Sequence, residues 1–128
     1  VLETESLRVT STFVDHFLPT NALRFDFSKC KHSIAYSSDT EPCPEFVHLS
    51  KGADIVIHES TGTGQGHSSS EDAAAIANLI DAKELYLVHY QTRGEAAETM
   101  KAKAQAIFKG VVHLAQDFDI INIDCDCN

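Results

Sequence analysis

The apolar pattern of this chain changes period near residue 44, and that change limits what the chain can fold into. Before it, apolar and polar residues alternate through Leu7, Val9, Ser11, Phe13 and Asp15, and again through Leu23, Arg24, Phe25, Asp26 and Phe27. A period of two is the pattern of a half-buried strand. Pro19-Thr20-Asn21 supplies a turn, and Ser33 to Ser37 reads as a third strand, so these segments form a meander ending at Asp39. Beyond it, Pro44 opens a short helix carrying Phe46, Val47 and Leu49, and Gly52 stops it. Ala53 to Ile57 is the next strand; its unbroken Ile55-Val56-Ile57 run implies cover on both faces. After a glycine-rich loop, Thr61 to Gly66, Ser68 to Glu71 has the Ser-x-x-Glu form of a capping box. Ala73, Ile76, Ala77 and Ile80 form one helical face.

Glu84 to Val88 is a second buried strand. A helix from Glu95 to Phe108 presents Ala97, Met100, Ala104, Ile107 and Phe108 inward, and Gly110 ends it. Short strands at Val111–Leu114 and Asp119–Ile123 follow. Strands first, then helix and strand in alternation, specify an α/β layer with a mixed sheet.

A chain of 128 residues is one domain at most and can bury a core. No apolar run approaches the ~18 residues of a membrane span, so no membrane partner is expected. Val1 to Glu5 has none of the features of a leader peptide and reads as the interior of a longer sequence. The net charge of −9 argues against a broad basic face for nucleic acid, although bound cations can reverse the field locally. Cys30 and Cys43 are isolated, and Cys125-Asp126-Cys127 is either a soft-metal pair or incidental; reduced thiols and a cytoplasmic setting are expected.

Three strand-like runs end in a metal-type ligand: Val14-Asp15-His16, Ile34 to Asp39, and Leu85-Tyr86-Leu87-Val88-His89. A strand end holds such a group at the rim of a sheet, where α/β folds place their sites. Each has a second explanation, since His16 can be solvated and Asp39 can cap the following helix. Together, imidazole nitrogen and carboxylate oxygen suit zinc or another first-row ion, and a shared carboxylate can bridge two ions. His67, beside Gly66, can serve as a proton donor with Glu59 holding its other nitrogen; the simpler alternative is a polar loop contact.

These motifs resemble the C-terminal half of a metallo-β-lactamase-fold hydrolase, most like the ribonuclease Z group. The likeness rests on Val14-Asp15-His16 with Arg24, Tyr36 to Cys43, Gly52 to Thr61, Gly66-His67-Ser68-Ser69, Leu87 to Tyr90 and Ala115 to Phe118. It implies half of an αββα sandwich with a mixed sheet, residues 1–128 being a single partial domain. It implies His16, Asp39 and His89 as metal ligands, His67 and Glu59 as catalytic residues, and Thr40 and Ser68 as substrate-binding residues. The cofactor implied is two Zn2+ ions, with Mn2+ or another divalent ion as the alternative. The substrates implied are phosphodiesters, tRNA precursors among them, or lactones and small esters; a non-catalytic scaffold that binds a partner is the rival. The family's His-x-His-x-Asp-His motif is absent from this sequence. A missing N-terminal half or a homo-oligomer is therefore expected to complete the site, leaving the isolated chain inactive. Ser38 replaces the family's glycine before the aspartate, and Ala22-Leu23 replaces Gly-Tyr before Arg24.

Overall fold

The computed structural model describes residues 1–91 and 96–123. Its strands are β1 (Leu2–Glu3), β2 (Leu7–Val14), β3 (Thr20–Phe27), β4 (His32–Tyr36), β5 (Ile55–Glu59), β6 (Glu84–Val88) and β7 (Val111–Leu114). They lie in one sheet in the order β1 to β7. β1 to β4 pair antiparallel, as expected of the alternating segments, and β4 to β7 pair parallel. The change of period at Pro44 is thus the change of sheet type. Parallel neighbours need a crossover, and the helices α1 (Pro44–Ser50), α2 (Ser70–Ile80) and α3 (Ala97–Ile107) supply it.

Local chemistry sets the helix ends. Pro44 starts α1, whose cap residue is Cys43, with no side-chain capping bond, so Asp39 is not its cap. At the other end, Arg24 Nη1 donates to the carbonyls of Leu49 (3.3 Å) and Lys51 (2.8 Å), closing α1 from β3. α2 does begin in a capping box, one residue later than expected: Ser69 and Asp72 satisfy each other's backbone amides. Ser68 is unavailable because its hydroxyl donates to Thr40 O (2.7 Å) inside the core. Ala73, Ile76, Ala77 and Ile80 are buried as their spacing predicts. In α3, Ala104 is buried but Ile107 is 43% exposed, and the extended residue Phe108 turns inward instead. Glu95 lies outside the described residues.

Asp119–Ile123 forms no strand. Asp119 folds back on the chain, its carboxylate accepting from Gln116 N (2.9 Å). Cys30 is disulfide-bonded, which corrects the expectation of a reduced thiol there, while Cys43 is free and buried. The terminal Cys-x-Cys lies outside the described residues.

The core lies on one face of the sheet. Ala35, Val56, Leu85 and Val112 are in register across β4 to β7 and pack with Phe46, Ile76 and Ile80 from the helices. The opposite face carries Phe25, Ile34, Tyr36, Ile57, Tyr86 and Val88, all half-buried. Cover on both faces was expected for β5 and β6; among the described residues, the helices cover one.

Candidate metal centre

The strand ends expected to carry ligands converge at one rim of the sheet. β4 runs into Ser37-Ser38-Asp39, β5 ends at Glu59, β6 is followed by His89, and His16 follows β2. Ser38 and His89 both have left-handed backbones (φ 53° and 52°). Non-glycine residues pay for that conformation, and such residues concentrate at functional sites. The αL turn at Ser38 is one a glycine would adopt freely, and Ser38 compensates by donating its hydroxyl to Asn21 O (2.8 Å).

Asp39, His67 and His89 each offer a ligand atom, all within 4.8 Å of one another. His89 Nδ1 lies 2.9 Å from Asp39 Oδ1, and Thr61 fixes the same residue, its hydroxyl donating to His89 O (2.8 Å). This group differs from the expected set of His16, Asp39 and His89. His16 stands one ring further out, its centroid 5.1 Å from that of His67. His16 Nδ1–H donates to Gly66 O (2.7 Å), which leaves Nε2 as its available lone pair. The donor set, imidazole nitrogens with one carboxylate, suits zinc or a neighbouring first-row ion.

Glu59 anchors the floor of the site. It is 1% exposed, and Oε1 accepts from His67 Nδ1 (3.0 Å), Ser68 N (2.9 Å) and Thr40 N (3.3 Å). Its other oxygen accepts from Thr61 N (2.8 Å). So many donors satisfy both carboxylate oxygens and leave the group no freedom to turn. His67 is thereby presented to the Asp39 cluster through Nε2, and its ring centroid is 5.7 Å from that of His89. The expected Glu59–His67 pairing is present in the geometry.

Thr40 and Ser68, expected to touch substrate, are fully buried. Their hydroxyls donate to Glu41 O and Thr40 O (both 2.7 Å), so their place is in the scaffold beneath Glu59 rather than on its open side. His58, next to Glu59, points the other way, into the core against Phe46 (centroids 5.3 Å apart). Its Nδ1–H donates to Glu59 O (2.7 Å), its Nε2 has no partner, and burial holds its pKa below the usual imidazole value. Residues that the strand-end pattern does not single out also shape the site. Ser37 Oγ accepts from Glu59 N (3.0 Å), and Glu41 Oε1 accepts from Gly66 N (2.7 Å). Nothing in their spacing marks them, since both act through contacts distant in sequence.

Comparison with known proteins agrees with this geometry. The model of the beta-lactamase superfamily domain matches residues 1–90. Ribonuclease Z of Sulfolobus acidocaldarius is 38% identical over 99 residues, covering 73% of this chain and 33% of that protein. Ribonuclease BN of Cronobacter sakazakii is 36% identical over 100 residues, covering 70% and 33%. The chain therefore spans about a third of the length of the curated relatives it matches. The metallo-beta-lactamase fold protein YhfI from Bacillus subtilis superposes with a TM-score of 0.80 at 26% identity, covering 90% of this chain and 49% of that one. The short form of human tRNase Z superposes with a TM-score of 0.73 at 25% identity, covering 97% and 46%. A mixed α/β sheet with ligands at its rim and this pattern of relatives leads to one conclusion: the chain belongs to the beta-lactamase superfamily, has the metallo-β-lactamase fold and is ribonuclease Z-like.

Proposed function

We propose that these residues form the C-terminal half of a metal-dependent phosphodiesterase of the ribonuclease Z type, whose site is completed by groups outside the chain. The observation that carries this is the pairing of a buried, immobilised Glu59 with His67, which faces the Asp39–His89 pair. Asp39 and His89, with His16 alongside, would hold divalent ions. Bound zinc or manganese would supply Lewis-acid neutralisation of a phosphodiester's charge. Glu59 keeps the His67 ring oriented, its Nδ1 held, so that Nε2 faces the site as the group that would deliver a proton to the leaving oxygen. The half-covered sheet face of Phe25, Ile34, Tyr36 and Ile57 supports the partial-domain proposal, because a second layer or a second copy of the chain would bury it.

The test is phosphodiester hydrolysis by the whole protein supplied with zinc. His67→Ala should lower kcat by about 10²- to 10⁴-fold, the usual contribution of a general acid, with metal still bound. Undiminished turnover in that variant would remove His67 from the mechanism.

A small-ester or lactone substrate is the second proposal. Phe17 is 65% exposed and its ring lies 4.0 Å from that of His16, an apolar wall better suited to an uncharged substrate than to RNA. The net charge of −9 points the same way. Comparing kcat/KM for a tRNA precursor, a small diester and a lactone separates the two. In the described residues no helix is long and apolar enough to cross a membrane; a cytoplasmic site of action remains part of the proposal.

A further inference from the structure

We infer that Glu41 is a positioning residue that sets both imidazoles flanking the Gly66 peptide, His16 and His67. Three hydrogen bonds close a circuit through separate parts of the rim. Glu41 N–H donates to Asp15 O (2.8 Å), fixing the loop after β4 to the end of β2. Glu41 Oε1 accepts from Gly66 N–H (2.7 Å), and Gly66 O accepts from His16 Nδ1–H (2.7 Å). The Gly66 peptide is gripped at both ends, by a carboxylate on its amide and an imidazole on its carbonyl.

The grip tolerates no side chain at its centre. Gly66 is buried with φ +83°, and a Cβ there would fall 2.5 Å from His16 Nδ1 and 3.1 Å from Phe17 Cδ1. The loop is closed on itself by Gly62 N–H to Ser68 O (3.0 Å) and His67 N–H to Gly64 O (3.1 Å), but neither bond uses the N–H or carbonyl of Gly66; Gly62 sits at φ 122°, and Thr63, Gly64 and Gln65 are exposed. A loop of this composition, left alone, would sample many orientations of the Gly66 peptide. Glu41 selects one of them. Its charge-assisted bond is the stronger kind, and without it Gly66 N–H would be a buried donor with no partner. The peptide would then rotate toward water, taking its carbonyl away from His16 and its following residue, His67, away from Glu59.

The consequence for His16 is a fixed tautomer. With Nδ1 protonated and bonded to Gly66 O, the ring's lone pair sits on Nε2, the state in which a histidine can bind a metal. Among the described residues no hydrogen bond joins Glu41 to either ring, and it acts on both through one peptide. This inference rests on the proposed roles of His16 and His67, so its test needs a readout that does not depend on them.

The whole protein is compared as wild type, Glu41→Gln and Glu41→Ala. The ring nitrogens of His16 and His67 are followed by NMR without metal, and zinc affinity is measured by competition with a chromophoric chelator. Glu41→Ala should average the His16 tautomers, shift the His67 resonances and weaken zinc binding about ten- to a hundredfold, the usual cost of losing an outer-shell support. Glu41→Gln keeps an acceptor oxygen and should stay within about fivefold of wild type. Unchanged histidine spectra and zinc affinity in Glu41→Ala overturn the inference, and so does a variant that only melts at a lower temperature. If wild type binds no zinc yet both rings still respond to Glu41→Ala, the positioning role is upheld and the metal assignment falls.

Discussion

The two ends of this sheet carry the same chemistry, a carboxylate beside an imidazole, and use it differently. At one end Asp54 lies 3.6 Å from His32, accepts from Ser33 N (2.9 Å) and pairs with Lys83 Nζ (2.7 Å). Burial pushes its pKa up, but the bonds from Lys83 and Ser33 outweigh that and hold it below the ordinary value. At the other end Asp39 faces His89 and His67, and its ion-pair partner among the described residues is His89. Asp54 has its cation built in, whereas among the described residues the Asp39 cluster collects ligand atoms without a lysine or arginine paired to it. A carboxylate neutralised by the protein is part of the framework. One surrounded by imidazoles is suited to a cation from outside.

Removing the two carboxylates should produce opposite losses. Asp39→Asn is expected to weaken zinc binding by more than about a hundredfold, beyond what an outer-shell residue costs, with little change in the melting curve. Equal zinc affinity in the variant and wild type would erase the distinction between the two ends. Asp54→Ala should cost about 2 kcal/mol of stability, as when a charged acceptor is lost from the part-buried Ser33 N–H, and leave zinc affinity alone. Denaturant unfolding paired with a metal titration reads both.

His58 gives a smaller, pH-dependent effect. Its folded pKa lies below the unfolded value of 6.5, so the unfolded chain takes up a proton that the native state refuses. The stability it contributes is complete above pH 6.5 and falls as the pH drops below that, by at most about 1.4 kcal/mol per unit. His58→Gln should flatten that acid limb in unfolding titrations between pH 7 and 5; an unchanged slope would show that another group carries it. The smallest effect is expected at Ser38→Gly. Relief of the left-handed backbone and loss of the bond to Asn21 O nearly cancel, leaving a change under about 1 kcal/mol in chemical denaturation.

The framework end and the ligand end were not equally legible in the sequence. Alternation in β2 and β3, Pro44 at the start of α1 and the spacing of Ala73, Ile76, Ala77 and Ile80 are local signals, and they placed those elements correctly. The strand ends brought Asp39 and His89 together because a β-strand's direction fixes where its last residue points. What depended on contacts distant in sequence was not visible. Two serines and two acids made Ser68–Glu71 and Ser69–Asp72 equally good capping boxes, and only the demand of Thr40 O for a donor decided between them. Likewise, His67 rather than His16 joins the Asp39 cluster because Glu59 fixes one ring and Gly66 O fixes the other. The two-residue strand β1 is too short to show a period, and the turn at Asp119 depends on its own side chain.

The sheet order has a further consequence. Among the described residues each strand of the sheet lies beside its neighbours in the chain, and none is inserted between two that precede it. As the polypeptide emerges from a ribosome, every new strand can dock on the edge just vacated by the exit of the previous one. Assembly can then proceed from one side, each strand closing only the turn or helical crossover that links it to its predecessor. The rim that gathers Asp39, His67 and His89 is assembled late in that sequence, when His89 arrives behind β6.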